Sequence, residues 1–294
     1  MRLNEHNERL LLLGSTGLLG SFLSKYLETD GYDVVTQSLT NNADYQADLT
    51  NFQGINELII KIRPSVILNL VALTDVDLCE REPNKSYLLN VKTVENAVAA
   101  IKKTAPKCHL IHLSTDQVYD GAGLHNELNV SLTNYYAYSK YASELAALNV
   151  SSTILRTNFF GRSFCERRLS FTDWVFNSLK DKKNIQVFSD VLFSPLSISS
   201  LSKMIGLCIE KKPVGIFNLG SHSGFSKADF AYMFAMKCGL PTNLLNTISI
   251  KNADFLTAYR PRDMRLDCAY FEKNINIKLP SLIDEIEEVA KEYM

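Results

Sequence analysis

A glycine-rich turn near the start of the chain constrains the fold more than any other feature of the sequence. Residues 10–13 are four leucines, residues 14–20 read Gly-Ser-Thr-Gly-Leu-Leu-Gly, and a helical pattern of apolar residues follows at once. Glycines let a backbone turn tightly against a pyrophosphate, and the N-terminus of the next helix offers N–H groups to it. A turn without a ligand is the alternative, which the flanking strand and helix disfavour. We expect a dinucleotide to contact this turn at Gly14, Thr16, Gly17 and Gly20.

Short apolar runs alternate with amphipathic, helix-length segments through the first half of the chain. The runs lie at residues 10–13, 33–36, 65–71, 109–113 and 153–155. This rhythm predicts βαβ units, and the absence of polar alternation within the runs suits strands that helices cover on both faces. The predicted fold is α/β, a doubly wound parallel Rossmann-type sheet with a smaller, sequence-interleaved C-terminal substrate-binding lobe.

The rhythm loosens after Phe160, and this sets the predicted domain boundaries. Residues 197–208 and 215–219 again have the patterns of a helix and a strand. We therefore predict a dinucleotide-binding Rossmann domain at 1–160, to which 191–220 returns. The remaining segments, 161–190 and 221–294, are the predicted substrate-binding lobe.

The overall charge and the cysteines exclude several classes of function. Lys and Arg total 31 against 32 Asp and Glu, so a net charge of −1 gives no reason to expect nucleic acid or an anionic membrane. The six scattered cysteines lack the spacing of a metal site or redox pair, and His109 and His112 have no metal-spaced partner, so we assign no metal ligand. With no apolar stretch of membrane length and no signal-peptide pattern, we expect a cytoplasmic protein.

The end of the second predicted strand bears on the choice of cofactor. The strand reads Asp33-Val-Val-Thr-Gln37 and lacks the terminal acidic residue that would hold a ribose 2′-hydroxyl. Ser38, Thr40 and Asn41 follow and offer weak contacts to a 2′-phosphate. These residues favour NADPH and leave NADH open.

Tyr136 and Lys140 are the candidate reactive pair. Four residues make about one helical turn, so the two side chains share a face of a strongly helical segment. A nearby ammonium stabilises a phenolate, which lowers the tyrosine pKa from about 10 and favours proton exchange with a carbonyl. Such a pair is more often a solvated helix face. Its position downstream of a matching glycine turn predicts a reductive centre.

Two adjacent hydroxyl residues, Ser114 and Thr115, end an apolar strand where a doubly wound sheet places its ligands. Either hydroxyl could share a substrate oxygen. The alternative is that both cap the following turn, a frequent use of such residues.

Taken together, these features resemble the extended short-chain dehydrogenase/reductase family, and more narrowly its dTDP-4-dehydrorhamnose reductase group. The resemblance covers nearly the whole chain. Its motifs are GSTGLLG at 14–20, ADLT at 47–50, NLVALTDVDLCE at 69–80, LNV at 89–91, STDQVYDG at 114–121, YxxxK at 136–140, LRTNFFG at 155–161 and RPRDMRLD at 260–267.

The resemblance implies roles for further residues. The cofactor would also meet Leu18 and Leu19 of the glycine turn, Asp48, near the adenine, and Leu49, Ala72, Leu73, Thr74, Asn90, Tyr136 and Lys140. Thr115, Tyr136 and Lys140 would form the catalytic triad. Thr115, Asp116 and Phe159 would meet the substrate, a 4-keto-6-deoxyhexose on a nucleotide diphosphate, whose C4 carbonyl accepts a hydride and a proton from Tyr136.

Arg260 completes the predicted substrate contacts, because a guanidinium suits a bidentate contact with a diphosphate. A salt bridge to Asp263 or Asp267 is the alternative. The chain also departs from the family pattern: Gln117 stands where the reductases usually carry tyrosine, and Phe159 where they often carry tryptophan. Because Gln117 cannot ionise, it disfavours the related dehydratases, which use an Asp-Glu pair there.

The leading function is therefore NAD(P)H-dependent reduction of the C4 keto group of a nucleotide-linked 4-keto-6-deoxy sugar. One alternative is a nucleotide-sugar epimerase of the same fold, which would keep its cofactor bound through turnover. Another is a non-catalytic cofactor-binding regulatory subunit resembling that of methionine adenosyltransferase. The expected partner is the nucleotide sugar, not nucleic acid or a membrane, and a homodimer stays open.

Overall fold

The computed structural model describes residues 8–40, 42–165 and 168–294. Within them the strands are β1 (Arg9–Leu13), β2 (Asp33–Ser38), β3 (Tyr45–Gln46), β4 (Val66–Asn69), β5 (His109–Thr115), β6 (Ser152–Thr157), β7 (Phe159–Phe160), β8 (Ile185–Phe188), β9 (Leu192–Phe193), β10 (Leu196–Ser197), β11 (Gly215–Leu219), β12 (Phe225–Ser226) and β13 (Leu245–Ile248).

The α-helices of the described residues are α1 (Gly20–Thr29), α2 (Phe52–Ile62), α3 (Val76–Arg81), α4 (Pro83–Ser86), α5 (Thr93–Thr104), α6 (Tyr135–Ala147), α7 (Phe171–Lys180), α8 (Ile198–Lys211), α9 (Lys227–Lys237), α10 (Ala269–Ile275) and α11 (Leu282–Lys291). One turn of π-helix, Tyr87–Lys92, joins α4 to α5, and 3₁₀ turns lie at Asp116–Val118, Thr242–Leu244 and Ile250–Asn252.

Seven strands form the central sheet, in the order β11-β6-β5-β4-β1-β2-β3. The pairs β3–β2, β2–β1, β1–β4 and β4–β5 are parallel. The strand order reverses between β1 and β4, which is the arrangement of a doubly wound dinucleotide-binding sheet and places its binding crevice beyond the carboxyl ends of those two strands. β4 and β6 are buried along their whole lengths, as strands covered on both faces must be. The predicted fold class and the five predicted strands are confirmed.

Two compact units alternate along the described chain. One comprises the chain up to Ser114 with Tyr135–Leu155 and Ser202–Ile216; the other comprises Thr115–Asn134, Arg156–Leu201 and Phe217–Met294. Residues 115–134 and 156–160, which the sequence analysis assigns to the dinucleotide-binding domain, thus lie in the second unit. Of the predicted return at 191–220, residues 202–216 lie in the first. The functional division of the chain stays a prediction.

Each unit has its own apolar core. In the first unit, strand residues pack with buried residues of α2 and α5, including Leu11, Ile67, Leu110, Ile55, Ile59, Val94 and Ile101. The core of the second unit is rich in aromatic rings, and Phe160 meets Phe230 edge to face with 4.7 Å between ring centroids. Such pairs add to the stability from burial alone. Among the described residues, no helix combines the length and the apolar character that crossing a membrane requires.

Two buried histidines, His109 and His112, join elements of the first unit through hydrogen bonds. The ring nitrogens of His109 in β5 lie 2.9 Å from Ser151 Oγ and 2.8 Å from Thr153 Oγ1. Burial lowers the pKa of His109 to about 4, so the ring is neutral near pH 7. His112 is fully buried, and burial together with the charge of Lys140 holds its pKa well below the usual value.

The pKa of His109 predicts that acid destabilises the fold. The unfolded histidine takes up a proton near pH 6.5 and the folded one only near pH 4, so stability is lost as the pH falls through that window. The shift corresponds to about 3 kcal/mol. In urea unfolding between pH 7 and pH 4, His109→Gln should lose less stability than wild type. Identical pH slopes in the two proteins would contradict the assignment.

Candidate active site

The glycine turn between β1 and α1 is held by close backbone packing. Gly14 has a φ of +78°, and its N–H donates to Gln37 O at 3.0 Å and to Gln37 Oε1 at 3.2 Å. A Cβ on Gly20 would lie 2.5 Å from Gly14 O and 2.8 Å from the Ser15 backbone. No side chain fits in that space, so the turn requires glycine at both positions.

Gln37, at the end of β2, ties the turn to the following loop. Its buried side chain accepts from Gly14 N and donates through Nε2 to Ala47 O at 2.7 Å. The Ser38 hydroxyl donates to Thr40 O. Many dinucleotide folds carry a ribose-binding carboxylate at this position. Here Gln37 instead joins the glycine turn to the loop after β3 through hydrogen bonds. Asn41, the third residue considered for a 2′-phosphate, lies outside the described residues.

A cleft of roughly 220 Å³ opens at the carboxyl ends of these strands, within the first unit. Six of the predicted cofactor residues line it: Gly14, Thr16, Gly17, Asp48, Leu49 and Ala72. The cleft is also lined by Ser38, which was considered for a 2′-phosphate, and by residues for which no contact was predicted: Gln37, Leu39, Ala47, Thr50, Leu70, Val71, Leu89 and Thr93. The other predicted cofactor residues are not among the lining residues: Leu18, Leu19, Gly20, Leu73, Thr74, Asn90, Tyr136 and Lys140. No acidic residue lies in the first turn of α1, so its positive end is available to an anion.

The wall at Asp48–Thr50 is held from below by Asn96 of α5. Asn96 Nδ2 donates to Leu49 O at 3.0 Å and to Thr50 O at 2.9 Å. The exposed carboxylate of Asp48 accepts from the Thr50 backbone and hydroxyl at 2.9 and 2.7 Å. Because Asn96 fixes the loop backbone, the Asp48 side chain sits at the rim of the cleft in a defined turn.

Asn90 is fully buried in the π-helical turn, and its amide is used within the protein. Leu73 N donates to Asn90 Oδ1 at 2.6 Å, while Asn90 Nδ2 donates to Leu73 O at 3.1 Å and to Ser139 Oγ at 2.8 Å. This side chain locks the loop after β4 to α6. A π-turn often marks a functional position, because its extra residue redirects a side chain.

Tyr136 and Lys140 lie one turn apart in α6, and both are almost fully buried. The Lys140 ammonium donates to Leu113 O of β5 at 2.6 Å. Burial lowers the pKa of Lys140 to about 8, against the opposing effect of the Glu144 carboxylate. The lysine therefore remains mostly cationic near neutral pH, where a cation one turn from a phenol favours the phenolate.

Ser114 and Thr115, which the sequence does not distinguish, have different partners. The Ser114 hydroxyl donates to the buried carboxylate of Glu144 in α6. Thr115 Oγ1 accepts from Gln117 N at 3.2 Å, so it caps the turn that follows β5 and donates to Asp116 Oδ1 at 3.3 Å. The capping alternative thus describes Thr115 in this structure and not Ser114.

Asp116 is a buried acid of the second unit. Asn158 Nδ2 donates to its Oδ2 at 2.7 Å. Burial raises the pKa of Asp116 to about 6, although the Asn158 hydrogen bond and the charge of Lys227 oppose the rise. The carboxylate is therefore mostly ionised at pH 7 and accepts hydrogen bonds. Phe159 lies next to Asn158, half-buried, and pairs with Leu196 in the short β7–β10 ladder.

Lys227, the first residue of α9, was missed by the sequence analysis. Its ammonium lies 5.5 Å and 5.4 Å from the ring centroids of Phe171 and Phe193. Burial lowers its pKa, and the charge of Arg260 lowers it further, against the attraction of Asp116. A lysine at the positive end of a helix is unfavourable and was the available sequence signal.

Arg260 also lies in the second unit and donates through Nη1 to Ala258 O at 2.9 Å. Asp263, one of the acids considered as its partner, forms a bidentate pair with Arg265 at 2.7–2.8 Å. The positive charges of Lys227 and Arg260 repel each other, and an anionic ligand would be attracted to both. In the described part of the chain, no group of three or more His, Cys, Asp or Glu side chains is placed to hold a metal.

The chain is similar to known proteins over nearly its whole length. The family model described as RmlD substrate binding domain matches residues 8–294. The dTDP-4-dehydrorhamnose reductase of Escherichia coli (strain K12) is 28% identical over 285 residues, which cover 92% of this chain and 93% of that protein. The resemblance stated from the motifs is confirmed.

Solved structures agree over the whole fold. A hypothetical dTDP-4-dehydrorhamnose reductase from Sulfolobus tokodaii is 31% identical, with 94% of this chain and 98% of that chain covered and a TM-score of 0.83. The dTDP-4-dehydrorhamnose reductase from Bacillus anthracis str. Ames, solved in complex with NADP, has a TM-score of 0.88 at 24% identity, covering 98% and 100% of the two chains.

Replacing Gly20 tests the packing of the turn. Gly20→Ala should lower the free energy of unfolding by about 2–4 kcal/mol, because its Cβ meets backbone atoms that cannot move aside. Gly206→Ala in α8 is the matched control: its Cβ meets nothing within 4 Å, so a change within about 1 kcal/mol is expected. Chemical denaturation measures both. Equal effects of the two substitutions would show that the turn tolerates a side chain.

Proposed function

This chain belongs to the RmlD substrate binding domain family, and from that premise we propose that it reduces the C4 keto group of a nucleotide-linked 4-keto-6-deoxy sugar with NADPH. The observation that carries the proposal is the buried pair of Tyr136 and Lys140 on one face of α6, with Lys140 bonded to Leu113 O. Relatives named dTDP-4-dehydrorhamnose reductase support it.

The first unit fits the cofactor. Gly14 and Gly20 let the turn pack tightly on itself, and the cleft lined by Gly14, Thr16 and Gly17 lies at the reversal of strand order. We propose that Gly14, Thr16 and Gly17 hold the pyrophosphate, with the backbone of 18–20 at the helix N-terminus, and that Asp48 and Leu49 hold the adenine. Ala72 lines the same cleft, and we propose that Leu73 and Thr74 beside it also contact the cofactor, while Asn90 holds the Leu73 backbone. When bound, NADPH supplies the hydride that reduces the carbonyl carbon.

Tyr136 and Lys140 then handle the proton. The phenol of Tyr136 donates its proton to the carbonyl oxygen as that carbon accepts the hydride, and the ketone becomes a secondary alcohol. Lys140 stabilises the phenolate that remains until a proton returns from solvent. We propose that Thr115 Oγ1 donates a further hydrogen bond to the same oxygen, exchanging its bond to Asp116 for one to substrate.

The second unit supplies the remaining substrate contacts. Asp116 is mostly ionised above pH 6 and accepts a hydrogen bond from a sugar hydroxyl. We propose that Phe159 contacts the sugar ring, and that Lys227 and Arg260 hold the diphosphate, whose negative charge relieves the repulsion between them. A cytoplasmic location and a homodimer stay predictions from the sequence.

The central test follows absorbance of the reduced nicotinamide after a dTDP-4-keto-6-deoxy sugar is supplied with NADPH or NADH. Wild type should oxidise NADPH, and Tyr136→Phe should lose about 10²–10⁴-fold in rate because the proton donor is gone. Tyr138→Phe is the matched control, since that ring is 55% exposed on the same helix, and it should keep wild-type activity.

No turnover by wild type with any nucleotide 4-keto sugar would overturn the proposal. NAD that stays bound through purification and turnover would identify an epimerase instead. A stable complex with another enzyme, combined with no turnover, would identify a regulatory subunit.

Removing the charge of Lys227 tests the diphosphate contact. Lys227→Met should raise KM about 10–100-fold with a smaller change in kcat, because a lost charge-assisted bond to a non-reacting group weakens binding. Lys237→Met, at the exposed end of α9, is the control and should change neither value. A fall in kcat at constant KM would assign Lys227 to the chemical step.

A further inference from the structure

Glu144 is a fully buried carboxylate that the proposed mechanism does not use. It lies in α6 one turn beyond Lys140, so Tyr136, Lys140 and Glu144 follow each other at intervals of four residues on one helix face. Burying an ionised carboxylate is costly unless hydrogen bonds and an opposite charge compensate. The Ser114 hydroxyl donates one such bond. Lys140 is a nearby cation, whose pKa the Glu144 carboxylate raises.

Lys140 is a buried cation and requires a negative charge to compensate it. Its ammonium is almost fully buried and donates to Leu113 O, a neutral acceptor. Burial alone lowers the pKa of Lys140, and the Glu144 carboxylate raises it, with the balance at about 8. Without that carboxylate the lysine would lose its proton closer to neutral pH. The neutral form would no longer stabilise a phenolate on Tyr136.

The other elements packed against α6 do not replace this charge. β5 presents His112, whose low pKa keeps its ring neutral, and the π-helical turn presents the neutral amide of Asn90. On α3, Glu80 accepts from Tyr135 N at the start of the helix. Charged side chains at α4 and near the start of α5 pair with each other, as Lys85 does with Glu82 and Lys92 with Glu95.

We propose that the Ser114–Glu144 pair is a positioning device for Lys140: Glu144 is the buried counter-charge that keeps the lysine an ammonium, and the Ser114 hydroxyl fixes that carboxylate. Glu144 acts through Lys140 and does not contact substrate. The catalytic consequence of this inference rests on the proposed function, while the charge pairing itself does not.

The rival explanation is that Glu144 only fastens α6 to β5 through Ser114. Glu144→Gln separates the two, because glutamine keeps the shape and can still accept a bond from Ser114 but carries no charge. Ser114→Ala makes the converse change, since it removes the bond and keeps the charge. A merely structural role predicts that both variants lose stability without any link to Lys140.

The first experiment is a double-mutant cycle of urea unfolding at pH 7 with Glu144→Gln, Lys140→Met and the combined variant, without substrate or cofactor. Charge pairing predicts that Glu144→Gln lowers the unfolding midpoint by less than half as much in the Lys140→Met background as in wild type. The same loss in both backgrounds would overturn the inference.

The second experiment is the pH profile of kcat/KM. Glu144→Gln should move the alkaline limb down by about one pH unit, which is about a fivefold loss at pH 8, with little change at pH 6. Ser114→Ala should lower the rate without moving the limb, and Glu144→Asp should restore its position in part. An unmoved limb in Glu144→Gln would also overturn the inference.

The two experiments separate this inference from the proposed function. Absence of reduction by wild type, together with coupling in the unfolding cycle, would remove the reductase assignment and leave the Glu144–Lys140 pair standing. Turnover by wild type without coupling or a moved limb would do the reverse.

Discussion

The attachment of α6 to the end of β5 is the interaction on which the candidate site depends. Three consecutive strand residues bind three helix residues: His112 contacts Ser143 at 2.9 Å, Leu113 accepts from Lys140 at 2.6 Å, and Ser114 donates to Glu144. Side chains alternate along a strand, so the first and third bonds use side chains on one face and the middle bond uses the backbone. This sequence of contacts fixes both the rotation of α6 and its position along the strand. The face that carries Tyr136 follows from that rotation.

Polar contacts at a buried helix–strand junction contribute little net stability, because burying the polar and charged groups costs desolvation free energy. Apolar side chains of similar volume often give equal or greater stability, whereas each buried charge must be compensated. The first unit does bury a large apolar core elsewhere, around α2 and α5. The concentration of His112, Lys140 and Glu144 at one junction is therefore better explained by the need for a buried ammonium than by stability. Such concentrations of buried ionisable groups occur preferentially at functional sites.

Local patterns were enough to predict the sheet and the shared helix face of Tyr136 and Lys140, and they failed where long-range contacts decide. The leucine run, the glycine turn and the Tyr136/Lys140 spacing each lie within a few residues, and periodicity alone relates them to strand, turn and helix face. The role of Gln37 in holding two loops together could not be recognised, because its partners Gly14 and Ala47 are brought to it by the parallel pairing of β1, β2 and β3. Lys227 was missed because its neighbours Asp116 and Arg260 lie far away in the sequence. Asn90 was named through the family motif, and its bonds to Leu73 and Ser139 give that motif a physical reason.

The two hydroxyl residues at the end of β5 illustrate why adjacency in sequence does not make residues interchangeable. Ser114 belongs to the first unit and Thr115 to the second, so the chain passes from one to the other between them. In a strand their side chains point to opposite faces, and a one-residue shift would exchange their surroundings. Ser114 donates to Glu144, and a ligand that drew it away would take one compensating hydrogen bond from a buried carboxylate. Thr115 donates a long bond of 3.3 Å to Asp116, which it can exchange for a ligand while Oγ1 still accepts from Gln117 N. In the sequence analysis only the family resemblance favoured Thr115 over Ser114 as the substrate hydroxyl. The weaker bonds of Thr115 favour the same choice independently.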